Sequence, residues 1–199
     1  PQFSNEFKVP PLSTAAQSAP LGGDIDVRAP IQLLTLVPGS RVEAQGDNSV
    51  LWFTARSVNQ RVDNDIWRQL LGFLERRGIA ISDLNIQART VDTDWFYADE
   101  RLDPWTPAAE EAEKLQVHQR YRFTITSDAV RHRTGLTSQL LAHEAFREGD
   151  RDDTPLTQFD QRRYAGYMLN QVVADYDRQL RAGEIRPTTA RAAMTLGVD

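Results

Sequence analysis

The stretch His118-Gln119-Arg120-Tyr121-Arg122-Phe123-Thr124-Ile125-Thr126 alternates apolar and polar side chains with the period of two that is typical of a half-buried β-strand. Tyr121, Phe123 and Ile125 then share one face of the strand, and the polar residues between them share the other. A second strand-like stretch covers residues 136–146, and a turn around residues 128–135 joins the two. The sequence therefore predicts a β-hairpin.

Shorter strands are predicted before this hairpin. Residues 49–53 follow the turn residues Gly46-Asp47-Asn48, residues 79–81 begin another strand, and residues 85–97 supply one or two more. The stretch 99–114 is a charged excursion between strands, and its Pro-Ala-Ala-Glu-Glu segment could form a short helix.

Two helices are predicted from apolar residues that recur at helical spacing. The first is capped by Asp63 or Asn64 and runs to about Arg77 with Gly78 as its stop, and the second covers residues 157–182 and ends at Gly183. Their predicted buried faces consist of Ile66, Trp67, Leu70, Leu71, Phe73 and Leu74 in the first helix and Tyr164, Met168, Val172 (or Leu169), Val173, Tyr176 and Leu180 in the second. An antiparallel sheet with both helices on one face satisfies this order. The predicted fold class is α+β, a two-layer domain of the helix-grip kind.

Prolines divide the chain into an arm and a folded domain. Six of the ten prolines precede residue 40, where each fixes the backbone φ angle and removes a hydrogen-bond donor. We interpret residues 1–38 as an extended arm without a core of its own, residues 39–183 as the helix-grip domain, and residues 184–199 as the start of a linker. The apolar residues spaced along the arm favour a segment that orders on a partner over a solvated linker.

Composition argues against several classes of function. The chain has 199 residues with 23 Lys and Arg against 28 Asp and Glu, a net charge of −5, and so lacks the basic charge typical of nucleic-acid-binding proteins. It has no cysteine, which excludes disulfides, thiolate metal sites and a cysteine nucleophile. No apolar run approaches the roughly 20 residues that a membrane-spanning helix needs.

Side chains capable of catalysis do not combine into a recognised motif, and the chain contains no GxGxxG, GxxxxGK or GxSxG. His143 and Glu144 are adjacent on a strand, so they point to opposite faces and cannot easily share a metal. The acidic stretch 150–153 lacks the glycine and bidentate glutamate of a calcium loop, and we interpret it as a solvated loop whose acids favour the N-terminus of the following helix. Asp92 and Asp94 would face the same side of a strand and remain a candidate carboxylate pair.

Four short motifs follow a known pattern. The longest is Asp24-Ile25-Asp26-Val27-Arg28-Ala29-Pro30-Ile31-Gln32-Leu33-Leu34-Thr35-Leu36-Val37-Pro38-Gly39-Ser40-Arg41. The others are Phe7-Lys8-Val9-Pro10, Thr93-Asp94-Trp95 and Arg120-Tyr121-Arg122-Phe123. Together they resemble the arm, the junction segment and two strands of the BamC (NlpB) family, outer-membrane lipoproteins of the β-barrel assembly machinery.

This resemblance implies an arm that lies along the partner lipoprotein BamD, in a complex centred on BamA, followed by two helix-grip domains joined by a flexible linker. Members of the family are held at the periplasmic side of the outer membrane by a lipidated N-terminal cysteine. We therefore expect this chain, which has no cysteine, to contain the later arm and the first domain of such a lipoprotein. The resemblance points to Phe7, Val9, Pro10, Ile25, Arg28 and Pro30 as partner contacts.

From these observations we predict a non-enzymatic accessory subunit for the assembly of outer-membrane β-barrel proteins, with protein partners and no cofactor, metal or nucleic acid. The alternative is a helix-grip module that holds a small apolar ligand or a peptide between sheet and helix. A third hypothesis is a hydrolase that uses Asp92 and Asp94.

Overall fold

The computed structural model describes residues 31–45, 48–55, 60–98, 115–147 and 149–183, and within these ranges it contains eight strands and two helices. The strands are β1 Ser40–Gln45, β2 Asn48–Thr54, β3 Ile81–Asn85, β4 Thr90–Thr93, β5 Phe96–Ala98, β6 Leu115–Asp128, β7 Arg133–Arg147 and β8 Asp150–Asp152. The helices are α1 Val62–Arg76 and α2 Gln158–Ala182. The predicted arm up to residue 30, the excursion 99–114 and the linker 184–199 lie outside the described residues.

The eight strands form one antiparallel sheet around the predicted hairpin. Its strand order is β1-β2-β7-β6-β4-β3, while β5 also pairs with β6 and β8 with β7. The β6–β7 ladder extends from Leu115 opposite Arg147 to Asp128 opposite Arg133, with an irregularity at Arg120 and Tyr121. The hairpin is confirmed, and its turn is shorter than predicted because Arg133 and Thr134 pair with both β2 and β6.

A hydrophobic cluster fills the space between the sheet and the two helices. The sheet contributes Leu51, Phe53, Tyr121, Phe123, Ile125 and Leu136; α1 contributes Ile66, Trp67, Leu70, Phe73 and Leu74; and α2 contributes Met168, Leu169, Val172, Val173 and Tyr176. Leu71, Tyr164 and Leu180 pack against its margin. The α+β class and the predicted buried faces are confirmed, since apolar residues at periods of two and 3.6 meet in one core.

The start of α1 differs from the prediction. Its N-cap is Arg61, and no side chain caps the helix. Asp63 lies inside the first turn, 3.6 Å from Arg61, and the amide oxygen of Asn64 accepts a hydrogen bond from Arg89 at 2.9 Å. The predicted cap by Asp63 or Asn64 is therefore wrong, because arginine side chains engage both residues. Gly78 adopts φ +66° just after the helix, as expected of a C-terminal stop.

The bounds of α2 agree with the prediction to within a residue. Its N-cap Thr157 accepts a hydrogen bond from the backbone N–H of Asp160, and the Asp160 carboxylate accepts one from the backbone N–H of Thr157. This reciprocal capping box satisfies two backbone donors that the helix itself leaves unpaired. At the other end Gly183 adopts φ +70°, a left-handed conformation that ends the helix.

The acidic stretch before α2 is not a plain loop. Residues Asp150–Asp152 form β8, which pairs with the end of β7. The Asp152 carboxylate accepts hydrogen bonds from the backbone and the hydroxyl of Thr154. The prediction of a loop is therefore wrong for Asp150–Asp152, and the capping hydrogen bonds of α2 come from Thr157 and Asp160 instead.

Two other strand predictions need correction. The strand β1, which pairs with β2 along its whole length, was not predicted; its charged residues Arg41 and Glu43 conceal the pattern of an edge strand. Residues 86–89 form a turn rather than a strand, with the side chain of Asn85 accepting a hydrogen bond from the N–H of Ala88 and Arg89 at φ +54°.

Candidate functional site

The six arm residues predicted to contact a partner, Phe7, Val9, Pro10, Ile25, Arg28 and Pro30, lie outside the described residues. Their role stays a prediction. The described residues begin at Ile31. Residues 31–37 connect the arm to the domain and are called the junction below.

Residues 31–36 run along α2 without joining the sheet. The side chain of Asn170 accepts a hydrogen bond from the backbone N–H of Leu34 at 2.7 Å and donates one to the backbone carbonyl of Gln32 at 3.0 Å. These two backbone groups lie on the same edge of an extended segment, as they would when facing a neighbouring strand. One carboxamide thus recognises the backbone of the junction and not its side chains.

Gly166 lies one helical turn before Asn170, on the same face of α2. A Cβ atom at Gly166 would lie 3.6 Å from the Ile31 Cγ2 atom and 3.6 Å from the Leu33 Cδ2 atom. The bare backbone of the helix therefore allows both side chains to lie against it. A side chain larger than a methyl group at this position would displace the junction from α2.

The junction ends in the core. Val37 is 5% exposed and belongs to the main hydrophobic cluster. Its carbonyl accepts hydrogen bonds from the N–H and the hydroxyl of Ser40, which closes a turn in which Gly39 has φ +84°. The N–H of Thr54 donates to the Gly39 carbonyl at 3.1 Å. The arm is therefore fastened to the domain at Leu34 and again at Val37.

A groove of about 250 Å³ lies beside the junction, between the first half of α2 and the sheet. Ile31 and Leu33 line it at one end, and Phe159, Arg162 and Arg163 of α2 line it further along. Beneath it the Ser138 hydroxyl of β7 donates a hydrogen bond of 2.5 Å to the carbonyl of Ala165 in α2. The lining of the groove thus combines apolar side chains with two arginines.

Two larger openings lie elsewhere on the domain. One, of about 490 Å³, lies between the start of α1 and the β6–β7 turn, and the other, of about 340 Å³, lies beside β8. Among the described residues, no group of three or more His, Cys, Asp or Glu side chains is arranged to hold a metal ion.

Asp92 and Asp94 are engaged separately. Asp92 is 7% exposed and accepts two hydrogen bonds from Arg122, at 2.7 and 2.6 Å. This bidentate contact holds the pKa of the Asp92 carboxyl below its usual value. Asp94 lies beyond the end of β4, where its carboxylate accepts a hydrogen bond from the N–H of Trp95. A carboxylate kept ionised by an arginine is a poor proton donor, so the geometry gives the hydrolase hypothesis no support.

His143 and Glu144 point to opposite faces of the sheet, as predicted. The Nδ1 atom of His143 lies 3.1 Å from the amide nitrogen of Gln119, and its ring lies 5.1 Å from that of Tyr164 in α2. Burial lowers the pKa of His143. Glu144 lies 3.4 Å from Arg151 of β8 on the other face. The two residues cannot act as a pair.

Comparison with known proteins places this architecture. Residues 1–188 match the model of a family described as "Outer membrane protein assembly factor BamC-like N-terminal domain". The chain belongs to this family. The resemblance inferred from the arm, junction and strand motifs is therefore confirmed, and the match includes the arm as well as the folded domain.

Curated relatives of the BamC-like chain carry the name "Outer membrane protein assembly factor BamC". The relative from Shewanella oneidensis is 27% identical over 201 residues, covering 100% of this chain and 54% of the relative. That from Ferrimonas balearica is 31% identical over 204 residues, with 100% and 54% covered, and that from Shewanella sediminis is 28% identical over 201 residues, with 100% and 52% covered. The chain spans about half the length of the curated relatives it matches.

Sequence reasoning missed the two residues of α2 that hold the junction of this BamC-like domain. Gly166 interrupts an otherwise good helical pattern, and an isolated glycine there often has a packing reason. That signal was available. Asn170 offered none, because a half-buried polar residue on a helix surface is ordinary. Neither described helix is both long and apolar enough to cross a membrane.

Proposed function

We propose that this chain is a non-enzymatic accessory subunit of the outer-membrane β-barrel assembly complex and that it binds BamD through the arm before Ile31. The observation that carries the proposal is the family match over residues 1–188, which covers the arm together with the domain. The relatives that cover the whole chain bear the same assembly-factor name.

The domain's architecture supports a role as a fixed base for the arm. A two-layer domain with both helices on one face of the sheet suits the proposed helix-grip fold. The arm leaves this base from a defined place, since Asn170 and the core contact of Val37 hold its last residues. A partner bound along the arm is thus tied closely to the domain.

The proposed location is the periplasmic side of the outer membrane, with attachment through the lipid anchor of the full-length protein and contact with the BamA-centred complex through BamD. A binding role also suits the polar side chains that could serve in catalysis, because each is engaged within the domain. Arg122 engages Asp92, and Gln119 engages His143, so these groups serve the fold.

A calorimetric titration of BamD tests the proposal. The complete chain is compared with a chain that lacks residues 1–30; the deletion stops there because Val37, which the predicted boundary at residue 38 would remove, lies in the core. We expect the complete chain to bind and the shortened chain to lose binding while its melting curve stays nearly unchanged. Equal affinities would contradict binding through the arm and move the interface to the folded domain.

A further inference from the structure

The arm's last residues carry a two-faced pattern that continues into the described junction. In residues 24–33 the odd positions are apolar and the even positions are polar or proline: Ile25, Val27, Ala29, Ile31 and Leu33 alternate with Asp24, Asp26, Arg28, Pro30 and Gln32. This is the period of an extended segment with one buried face. In the described part the odd positions Ile31 and Leu33 are half-buried against α2, whereas Gln32 is exposed.

The direction of the junction sends the preceding residues along the groove. Leu34 contacts Asn170 and Ile31 contacts Gly166, so the segment runs parallel to α2, and residues before Ile31 lead toward the start of the helix. From Gly166 to the first residue of the helix, Gln158, is about 12 Å at 1.5 Å per residue. An extended chain covers that distance in about four residues at 3.3 Å each. Residues 27–30 therefore have the length to reach the start of α2.

The groove on this path has the chemistry to receive the segment. Its lining includes Phe159, Arg162 and Arg163 of α2 besides Ile31 and Leu33. The incoming segment has apolar residues at the positions that would face α2, and its polar positions include two acids, Asp24 and Asp26, against one arginine. Length, periodicity and charge agree.

We propose that this groove is the docking site for the chain's own residues 24–30, with Val27 and Ala29 facing α2 and Asp26, Arg28 and Pro30 facing outward. The arm then consists of two parts. Docking covers one face of residues 24–30, so this part can offer only its other face to a partner, and it does not involve the residues before 24. Of the predicted partner contacts in this part, Ile25 lies on the covered face, and Arg28 and Pro30 remain accessible.

Disulfide trapping tests this docking on the isolated chain, so the result does not depend on whether BamD binds. The chain has no cysteine, which removes any background. One variant carries Ala29→Cys with Arg162→Cys, and the matched control carries Arg28→Cys with Arg162→Cys. The two pairs have almost the same tether length, but a shift of one residue moves the thiol to the opposite face of the segment.

We expect the pair at 29 and 162 to form its disulfide under mild oxidation at least about tenfold faster than the control pair, since closure requires a specific separation and direction of the two Cβ atoms. Equal rates would show that residues 24–30 do not dock in the groove and would overturn the proposal. The groove would then be a candidate site for another segment, such as an extended segment of a partner. A faster control pair would overturn the assigned face.

Hydrogen exchange gives a second test without cysteines. The variant Val27→Asp with Ala29→Asp places charges on the docking face, whereas Asp26→Ser with Arg28→Ser changes the outer face. We expect faster exchange in residues 159–166 for the first variant and unchanged exchange for the second. The same exchange in both variants would overturn the proposal.

Discussion

The side chain of Asn170 accepts a hydrogen bond of 2.7 Å from the backbone N–H of Leu34, which lies 136 residues earlier in the chain. The contact joins the end of the arm to the last helix of the domain. The position of α2 is set by the core that it shares with α1 and the sheet. The contact between Asn170 and Leu34 therefore depends on the packing of that core.

Replacing Asn170 should release the junction without unfolding the domain. Asn170→Ala removes both hydrogen bonds to the junction backbone, and we expect a loss of roughly 1 kcal/mol of unfolding free energy, since exposed hydrogen bonds contribute at the low end of the usual range. Urea denaturation measures this loss, and hydrogen exchange should show a faster amide at Leu34. Gln161→Ala on an exposed part of α2 is the control. Unchanged exchange at Leu34 would contradict the contact.

Core truncation should distinguish the buried face of α1 from its margin. Leu70 is 0% exposed within the cluster, whereas the neighbouring Leu71 is half-buried at its edge. Leu70→Ala should lower the unfolding free energy by roughly 2–5 kcal/mol because it leaves a cavity. Leu71→Ala serves as the matched control and should cost clearly less. Equal losses in thermal or urea unfolding would mean that the helix presents another face.

An added methyl group should lower the stability of the fold at one glycine and not at another. A Cβ at Gly135 would lie 2.8 Å from the Val50 Cγ1 atom and 3.0 Å from the Trp52 Cζ3 atom, so Gly135→Ala should destabilise the sheet by about 1–3 kcal/mol through overpacking. Gly166→Ala places its methyl at ordinary contact distance from Ile31 and Leu33. It should be neutral or stabilise by up to about 1 kcal/mol, because alanine favours the helix. Urea unfolding of the two variants would refute this contrast if both changed stability alike.

The Asp92–Arg122 ion pair should make stability depend on pH in the acidic range. The pKa of Asp92 is lowered in the folded protein by its hydrogen bonds to Arg122, so the carboxylate stabilises the fold fully above its ordinary pKa of about 3.9. That contribution is lost as the pH falls through the lowered value. The stability difference between the wild type and Asp92→Asn, measured by urea unfolding, should therefore shrink on acidification.

The control for the ion pair is the same substitution in an Arg122→Gln background. There the main cause of the lowered pKa of Asp92 is absent and only the charge of Arg120 remains, so Asp92→Asn should change stability by a smaller amount that depends less on pH. An equal pH-dependent effect in both backgrounds would assign the stabilisation to a group other than Arg122.

The arm prediction can be tested at single residues. If Phe7 is buried on BamD, Phe7→Ala should weaken binding by about 1.5–3 kcal/mol, which is roughly 10- to 150-fold in the dissociation constant. Lys8→Ala, at the next position, is the control and should have little effect. Calorimetry with BamD measures both. A larger effect of the lysine substitution would show that this part of the arm binds through its polar face.

Much of the fold followed from short patterns. The alternation around Tyr121 predicted β6, and helical spacing together with Gly183 located α2 to within a residue. The errors arose where a partner distant in the chain decides the structure. Arg61 and Arg89 contact Asp63 and Asn64, so neither residue caps α1. The acidic stretch forms the strand β8 because it pairs with β7.

The candidate site, too, could be predicted from the sequence only in part. The arm, its spaced apolar residues and the family resemblance were evident in the sequence, because composition and short motifs require no knowledge of contacts. The positions of Gly166 and Asn170 against Ile31 and Leu34 were not, because they depend on how α2 packs on the sheet.

The sequence by itself determined the hairpin, the two helices with their buried faces, and the family of this protein, since each depends on residue types within one short segment or motif. Only the tertiary structure decided that Arg122 holds Asp92 from 30 residues away and that Asn170 holds Leu34 from 136. The physical reason is that a hydrogen bond or an ion pair requires two groups at a set distance and direction, and the packing of the whole core supplies both.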